Sequence, residues 1–273
     1  MSGDHMTPSI LDHPLVLSIL FYPRADQPGH SQTENVRDGT IPVEDDVVLG
    51  YRLYIHQPDA PLILYFHGNG EIASDHDSLA PLYRRCGASL LVVDYRGYGW
   101  STGTPLVSAL LADALVVAQA LPDICQEAGL APEVSVVVMG RSLGSAPAIH
   151  LAYTQPGQLR GLIVESGFAH ALPLLARLGL PASVLGSIPD PIGNARKMGA
   201  INLPLLVIHG ERDTLIPVAN GQALYDASPA ARKRLLRIPE AGHNDLLFVG
   251  REAYFQAIAA FIADVAGQES AWS

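Results

Sequence analysis

The chain has 273 residues, 48% hydrophobic and 16% charged, enough apolar material for one large domain or two small ones. A formal net charge of −10 disfavours a nucleic-acid partner, because phosphate binding needs clustered cations. Neither cysteine, Cys86 or Cys125, has metal-ligand spacing, so we predict packed free thiols in a cytoplasmic protein. We also predict no membrane span, because we find no apolar run of about 20 residues.

Short apolar runs alternate with longer helical patterns along most of the chain. Strands are predicted near residues 47–55, 61–66, 89–94, 134–140, 160–165, 204–209 and 233–238. Helices are predicted near residues 74–86, 106–120, 143–153, 217–227 and 246–266. The alternation favours a single α/β domain over residues 1–273, with a mostly parallel sheet of about eight strands and helices on both faces. The carboxyl ends of its parallel strands would share one edge, where ligands bind in open sheets.

Two segments depart from this pattern. Residues 1–45 are irregular, and we expect an N-terminal arm that packs as an entry strand or arm. Residues 166–201 contain a short helical run, several prolines and no long periodic helix. We expect this segment to form a small cap over the edge of the sheet, because it is too short for a separate lid domain.

One pentapeptide, Gly140-Arg141-Ser142-Leu143-Gly144, follows a β-branched run and precedes a small-residue helical stretch. A strand, a G-x-S-x-G turn and a helix describe a nucleophile elbow, which exposes the serine hydroxyl at the carboxyl edge of a sheet. That hydroxyl becomes a good nucleophile only beside a base. Without a base, the same pattern is a tight turn with a capping serine. A carboxylate under the turn is the partner that we expect for Arg141.

Glycine-rich turns follow two other predicted strands. In His67-Gly68-Asn69-Gly70, the backbone N–H of Asn69 is a candidate oxyanion donor, together with the N–H of Leu143. The alternative is a plain glycine turn, and His67 is expected to fix the loop rather than act as a base. In the segment after residue 93, we predict a structural ion pair or hydrogen-bond network between Asp94 and Arg96. Tyr98 and Trp100 there either line a pocket or cover the core.

Two loops near the C-terminus provide an acid and a base. Asp213 follows the strand near 204–209 and is placed to orient an imidazole; it could also be only a turn or cap residue. Glu211 is a weaker candidate, and Glu165, at the end of another strand, is an alternative acid. His243 lies in a loop before the last helix. The chain order Ser142, Asp213, His243 is the one expected of an α/β-hydrolase arrangement.

Taken together, these motifs resemble the α/β-hydrolase superfamily, and within it the small-cap serine hydrolases of the abhydrolase-domain, depalmitoylase-like branch. The resemblance covers residues 15–263 approximately. It implies that Ser142 is the nucleophile, His243 the base and Asp213 the acid, and that Asn69 and Leu143 supply the oxyanion hole. The eukaryotic depalmitoylases carry a cysteine-rich N-terminus, whereas this chain has no cysteine before Cys86. An acylated protein at a membrane is therefore disfavoured as the substrate.

The expected function is hydrolysis of carboxylic esters with small to medium acyl groups, through an acyl-enzyme on Ser142 and without a metal or organic cofactor. A thioesterase or acyltransferase would use the same residues. A catalytically silent binding module would normally lack one of them. An aminopeptidase would need acidic groups for the substrate amine, and Glu165 and Asp190 are the obvious candidates. The expected partner is a small-molecule acyl ester, and the expected state is a monomer or homodimer.

Overall fold

The computed structural model describes residues 10–29, 35–181 and 190–267. Its strands are β1 (Val36–Glu44), β2 (Val47–Tyr54), β3 (Leu62–Phe66), β4 (Ser89–Val93), β5 (Val136–Arg141), β6 (Gly161–Glu165), β7 (Leu205–Gly210) and β8 (Lys233–Ile238). They form one eight-stranded sheet in the order β1-β2-β4-β3-β5-β6-β7-β8. β2 pairs antiparallel with β1 and β4, and the other neighbours pair parallel. The predicted fold class is confirmed.

In the part of the chain that the structure describes, the α-helices lie before, between and after these strands. They are α1 (Pro14–Leu20), α2 (Ala80–Arg85), α3 (Val107–Glu127), α4 (Ser145–Thr154), α5 (Ala171–Arg177), α6 (Asn194–Met198), α7 (Ala219–Ala227), α8 (Leu246–Val249) and α9 (Arg251–Val265). The helix predicted near 74–86 is split into a 3₁₀ helix, Ala73–Ser78, and α2. The helix predicted near 246–266 is split at Gly250, where a side chain would collide with Ile238.

Hydrophobic side chains cover both faces of the sheet. Along β3, Leu62 and Leu64 belong to the core that includes residues of α3 and α4, whereas Ile63 and Tyr65 belong to the core with α2 and α9. All of β3 is buried, which explains its continuous apolar sequence. The helices therefore cover both faces, as the strand–helix alternation predicts.

Helix α3 is longer than predicted, because it continues through Pro122 to Glu127. By length and composition it is the one helix in the described part of the chain that would be able to cross a membrane. Half of its most apolar stretch is buried inside the protein, and Asp113 on the same helix pairs with Arg96. Core helices of globular proteins have the same length and composition, and the packing of α3 in the main core accounts for its buried apolar side chains.

The chain order brings several loops to one crevice. From β3 the chain moves outward to β4 and then returns past β3 to β5, so the connections diverge between β3 and β5. Ligands bind outside the carboxyl ends of strands at such a switch point. The loop of His67 follows β3 and the turn of Ser142 follows β5, so both border this crevice. The loops after β7 and β8 end at the same edge.

The two irregular segments are described in part. The predicted arm contains α1 and β1, and Val16 and Leu20 of α1 are buried in the main core. The predicted cap contains the short helices α5 and α6. Residues 1–9, 30–34, 182–189 and 268–273 lie outside the described residues, so the boundaries 1–45 and 166–201 stay predictions.

Candidate active site

The turn after β5 has the geometry of a strained strand-to-helix elbow. Ser142 has a φ of +51°, which side chains rarely adopt. A Cβ atom on Gly140 would lie 2.2 Å from the Gly144 carbonyl oxygen, and one on Gly144 would lie 2.0 Å from the Phe66 carbonyl oxygen. Both flanking positions therefore require glycine, because the turn packs directly against backbone. The serine backbone is held in this conformation by its neighbours.

His243 joins the serine to a carboxylate. Its Nδ1 lies 2.7 Å from Asp213 Oδ2, and its Nε2 lies 2.9 Å from Ser142 Oγ. An ionised carboxylate only accepts hydrogen bonds, so Nδ1 carries the proton and Nε2 presents a lone pair to the serine hydroxyl. The structure thus brings together the three residues that the sequence places on separate loops. In this arrangement, a proton can move from the serine hydroxyl to His243.

Asp213 is held by several donors. The backbone N–H groups of Leu215 and Ile216 donate to Oδ1 at 2.9 and 2.7 Å, and His209 Nε2 lies 3.4 Å from Oδ2. Burial alone would raise the pKa of this carboxyl, but the contacts with His209 and His243 lower the pKa well below its ordinary value. Asp213 therefore remains ionised at neutral pH and can stabilise a positive charge on His243.

The other candidate acids lie elsewhere. Glu211 is exposed, and its neighbour Asp213 makes the contact with His243. Glu165 is buried, accepts a 3.1 Å bond from Arg141 Nε and accepts a 2.7 Å bond from the Tyr254 hydroxyl. Burial raises the pKa of Glu165. Its carboxylate is thus occupied by other partners, and the geometry favours Asp213 as the partner of His243.

The two candidate oxyanion donors, Asn69 and Leu143, border the same cleft as Ser142. Within the described part of the chain, neither backbone N–H donates a hydrogen bond, so both are available to a ligand. The Asn69 side chain is fixed, because its Oδ1 accepts bonds from the Tyr98 hydroxyl at 2.8 Å and the Tyr22 N–H at 2.9 Å. Sequence reasoning missed these positioning contacts, and no local signal exists for pairs 29 and 47 residues apart.

The predicted pairing of Asp94 with Arg96 is wrong. Arg96 instead binds Asp113 of α3 and Glu44 of β1. Asp94 is fully buried, where it accepts the Ala73 N–H at 2.8 Å. Two residues on one tight turn diverge, so their side chains meet partners from distant parts of the chain.

The aromatic residues of the same segment cover the core. Tyr98 is fully buried, with its ring centroid 5.6 Å from that of Tyr95. Trp100 donates to the Gly39 carbonyl oxygen at 3.1 Å, and neither residue borders the cleft beside Ser142. The core alternative is therefore correct for both residues. His67 donates from Nδ1 to the Gly68 carbonyl oxygen at 2.8 Å, in agreement with its predicted role in fixing the loop.

A cleft of about 260 Å³ opens beside Ser142. Its wall is mainly aliphatic and comes from three separate segments. The aliphatic residues that line it with Leu143 are Ile19, Leu20, Leu174, Leu178, Leu215 and Ile216. Helix α1 and the residues of the predicted cap thus contribute the apolar surface, a role that the irregular sequence of the arm did not indicate.

No group of three or more histidine, cysteine, aspartate or glutamate side chains with the arrangement of a metal site occurs in residues 10–29, 35–181 and 190–267. Cys86 and Cys125 are both buried free thiols, as predicted. Burial raises the pKa of the Cys86 thiol to about 11.

The fold and the site define a member of the α/β-hydrolase superfamily. The chain matches the hydrolase family described as serine aminopeptidase, S33, over residues 56–186 and 194–247, and it belongs to that family. It is 28% identical over 213 residues to the protein bem46 of Schizosaccharomyces pombe, covering 75% of this chain and 68% of that protein.

Two further comparisons agree with this assignment. The alpha/beta hydrolase domain-containing protein aho-3 of Caenorhabditis elegans is 29% identical over 203 residues, which cover 73% of this chain and 57% of that protein. The solved structure of the Pyrococcus furiosus esterase Pf2001 superposes with a TM-score of 0.71 at 20% identity, covering 89% of this chain and 98% of that one. The low identity means that this likeness shows the fold alone.

Proposed function

We propose that the protein is a serine hydrolase that cleaves carboxylic esters with small to medium aliphatic acyl groups. One observation carries the proposal: the hydrogen-bonded chain Ser142–His243–Asp213 ends in a cleft whose wall is aliphatic. The esterase Pf2001 has the same fold, which is compatible with this chemistry.

The reaction follows from the geometry. Ser142 Oγ attacks the ester carbonyl carbon while His243 Nε2 takes the hydroxyl proton, and Asp213 stabilises the resulting imidazolium. The N–H groups of Asn69 and Leu143 donate to the negative oxygen of the tetrahedral intermediate. His243 then returns the proton to the departing alcohol. Water, deprotonated by the same histidine, attacks the acyl-enzyme, and the acid leaves as the Ser142 hydroxyl is restored.

The cleft favours an uncharged acyl chain over a peptide N-terminus. In the part of the chain that the structure describes, no carboxylate lines this cleft. Asp190 accepts bonds from the backbone N–H groups of Ala171, Ile192 and Gly193, and Glu165 is bound to Arg141 and Tyr254. Both acids considered for holding a substrate amine are thus occupied. The family is described as serine aminopeptidases, whereas the substrates that we propose for this chain are esters.

The proposal is tested with p-nitrophenyl esters of increasing chain length and a fluorophosphonate probe. We expect the purified protein to hydrolyse these esters and to be labelled at Ser142. Burial of one methylene stabilises by about 0.8 kcal/mol, so kcat/KM should rise by up to about fourfold per methylene until the cleft is filled.

Two variants provide the control. Ser142→Ala should abolish hydrolysis and labelling without changing Tm. Ser89 is a buried serine at the amino-terminal end of β4, and Ser89→Ala should leave hydrolysis and labelling intact. Hydrolysis that survives in Ser142→Ala would contradict the proposal. A matched thioester that is cleaved far faster than its oxygen ester would indicate a thioesterase instead.

A further inference from the structure

We propose that Arg141 is a positioning residue that sets the geometry of the general base and of the oxyanion loop. The inference rests on the proposed function. Arg141 is the residue between Gly140 and Ser142, and its side chain is only 13% exposed. Its guanidinium donates hydrogen bonds to three other segments, and its backbone is joined directly to Ser142 by a peptide bond. Each segment has a different role in the proposed reaction.

The first segment is the loop that carries the base. Arg141 Nη2 donates to the His243 carbonyl oxygen at 3.0 Å and to Asn244 Oδ1 at 2.9 Å. The backbone of His243 is therefore tied to the residue next to the nucleophile. The imidazole has its Nδ1 held by Asp213, so Arg141 provides a second, independent fixation at the main chain. Fixing both ends restricts where Nε2 can lie relative to Ser142 Oγ.

The second segment is the loop of the candidate oxyanion donor. Arg141 Nη1 binds Glu71 Oε1, and Glu71 Oε2 accepts the Gly68 N–H at 2.8 Å. Gly68 immediately precedes Asn69. A Cβ atom on Gly68 would lie 2.4 Å from Arg141 Nη1, so glycine leaves the space that the guanidinium occupies. The same side chain thus anchors the loop that presents the Asn69 N–H.

The third segment anchors the cluster to the sheet. Arg141 Nε donates to Glu165 at the end of β6, and Glu165 accepts the Tyr254 hydroxyl of α9. Burial disfavours the charged guanidinium, but Glu71 and Glu165 raise the pKa of Arg141 above its ordinary value. The planar fork of arginine serves several acceptors in fixed directions, which the compact ammonium group of lysine cannot reproduce.

Arg96 is a matched comparison within the same chain. It is also buried and also binds two carboxylates, those of Asp113 and Glu44. Its partners lie on α3 and β1, and none of them carries a residue of the proposed reaction. Replacing Arg96 should therefore lower stability without lowering kcat. Replacing Arg141 should lower both, because Arg141 also positions the residues of the proposed reaction.

The test compares Arg141→Gln and Arg141→Lys with Arg96→Gln, using an ester that the wild type hydrolyses. Residues that orient the ligands of a metal site are typically worth about 10–100-fold in activity, and we expect a loss of the same order in the kcat of Arg141→Gln. Arg141 also borders the cleft beside Ser142, but the aliphatic side chains of its wall are unchanged, so we expect kcat to fall by a larger factor than KM rises. Arg141→Lys should retain an intermediate kcat. Arg96→Gln should lower Tm while keeping kcat within about twofold of the wild type.

The outcomes separate this inference from the function on which it rests. A wild type that neither hydrolyses esters nor reacts with the fluorophosphonate would defeat the proposed function. An active wild type with a kcat in Arg141→Gln as high as in Arg96→Gln would overturn the inference alone. If the Arg141 variants do not fold, Glu71→Gln and Asn244→Ala can be used instead, because each weakens or removes one side-chain contact of Arg141. A kcat that falls by a larger factor than KM rises in both supports the inference, and an unchanged kcat in both overturns it.

Discussion

Two histidine–aspartate pairs lie at the same edge of the sheet and differ in what the second ring nitrogen meets. In one pair, His243 Nδ1 binds Asp213 and Nε2 meets the Ser142 hydroxyl beside a cleft. In the other, His67 Nε2 lies 3.3 Å from Asp94 Oδ1, and Nδ1 donates to the carbonyl oxygen of Gly68. His67 and Asp94 are both fully enclosed. A histidine–aspartate pair alone therefore does not define a reactive centre.

The two histidines therefore have different roles in our proposal: His243 takes part in the reaction, and His67 holds a loop in place. Nδ1 of His243 is bound to Asp213 and Nε2 to the Ser142 hydroxyl, so in the proposed reaction Nε2 is the atom that accepts the proton. His67 has its Nδ1 occupied by the backbone, and its Nε2 and Asp94 Oδ2 make no hydrogen bond among the described residues. Of the side chains that the structure describes, no serine, threonine or cysteine bonds to the ring of His67. Its ring instead packs against Tyr95, with the centroids 4.3 Å apart, and so supports the loop that carries Asn69.

Replacing the base should have the largest effect. His243→Gln removes the group that accepts the serine proton, and loss of the base in such sites lowers kcat by about 10⁶-fold. The measurement is steady-state ester hydrolysis together with thermal unfolding. Tm should change little, because His243 lies in a loop. A His243→Gln variant that keeps more than a hundredth of the wild-type kcat would contradict the role of His243 as the base.

Replacing the acid should have the second largest effect. Asp213→Asn keeps the shape but cannot hold the Nδ1–H tautomer of His243, a loss that costs about 10⁴-fold in kcat in comparable sites. Glu165→Gln is the matched control, because Glu165 is also a buried acid at the end of a parallel strand. It should retain far more activity. Near-full activity in Asp213→Asn together with loss in Glu165→Gln would reverse the assignment.

The supporting pair should show its effect in stability. His67→Gln removes the bond that Nδ1 donates to the buried Gly68 carbonyl oxygen and leaves that acceptor without its partner, so the free energy of unfolding should fall by about 1–3 kcal/mol. The variant should keep kcat within about tenfold, since only the support of the Asn69 loop changes. Urea unfolding and ester hydrolysis measure the two quantities. A loss of kcat as large as in His243→Gln, at unchanged stability, would give His67 a role in the reaction.

The predicted juxtaposition of Ser142, Asp213 and His243 depends on position along a strand. Ser142 and Asp213 follow apolar runs, His243 follows β8, and parallel strands bring their carboxyl ends to one edge whatever their separation in sequence. The prediction for Asp94 and Arg96 failed because neighbours on a turn diverge. The contribution of α1 to the cleft was also not predictable, since Ile19 and Leu20 line the cleft beside Ser142 only through long-range packing.

The sequence by itself determined the mostly parallel sheet and the three residues that meet at the carboxyl ends of its strands, because periodicity and glycine turns act locally. Only the tertiary structure decided what surrounds these residues, namely the aliphatic wall to which α1 contributes and the contacts that enclose His67 and Asp94. The same applies to the partners of Arg141, whose contacts with Glu71 and the His243 loop span 70 and 102 residues. Hydrogen bonds and burial at such separations depend on how the loops pack, and no local pattern in the chain encodes them.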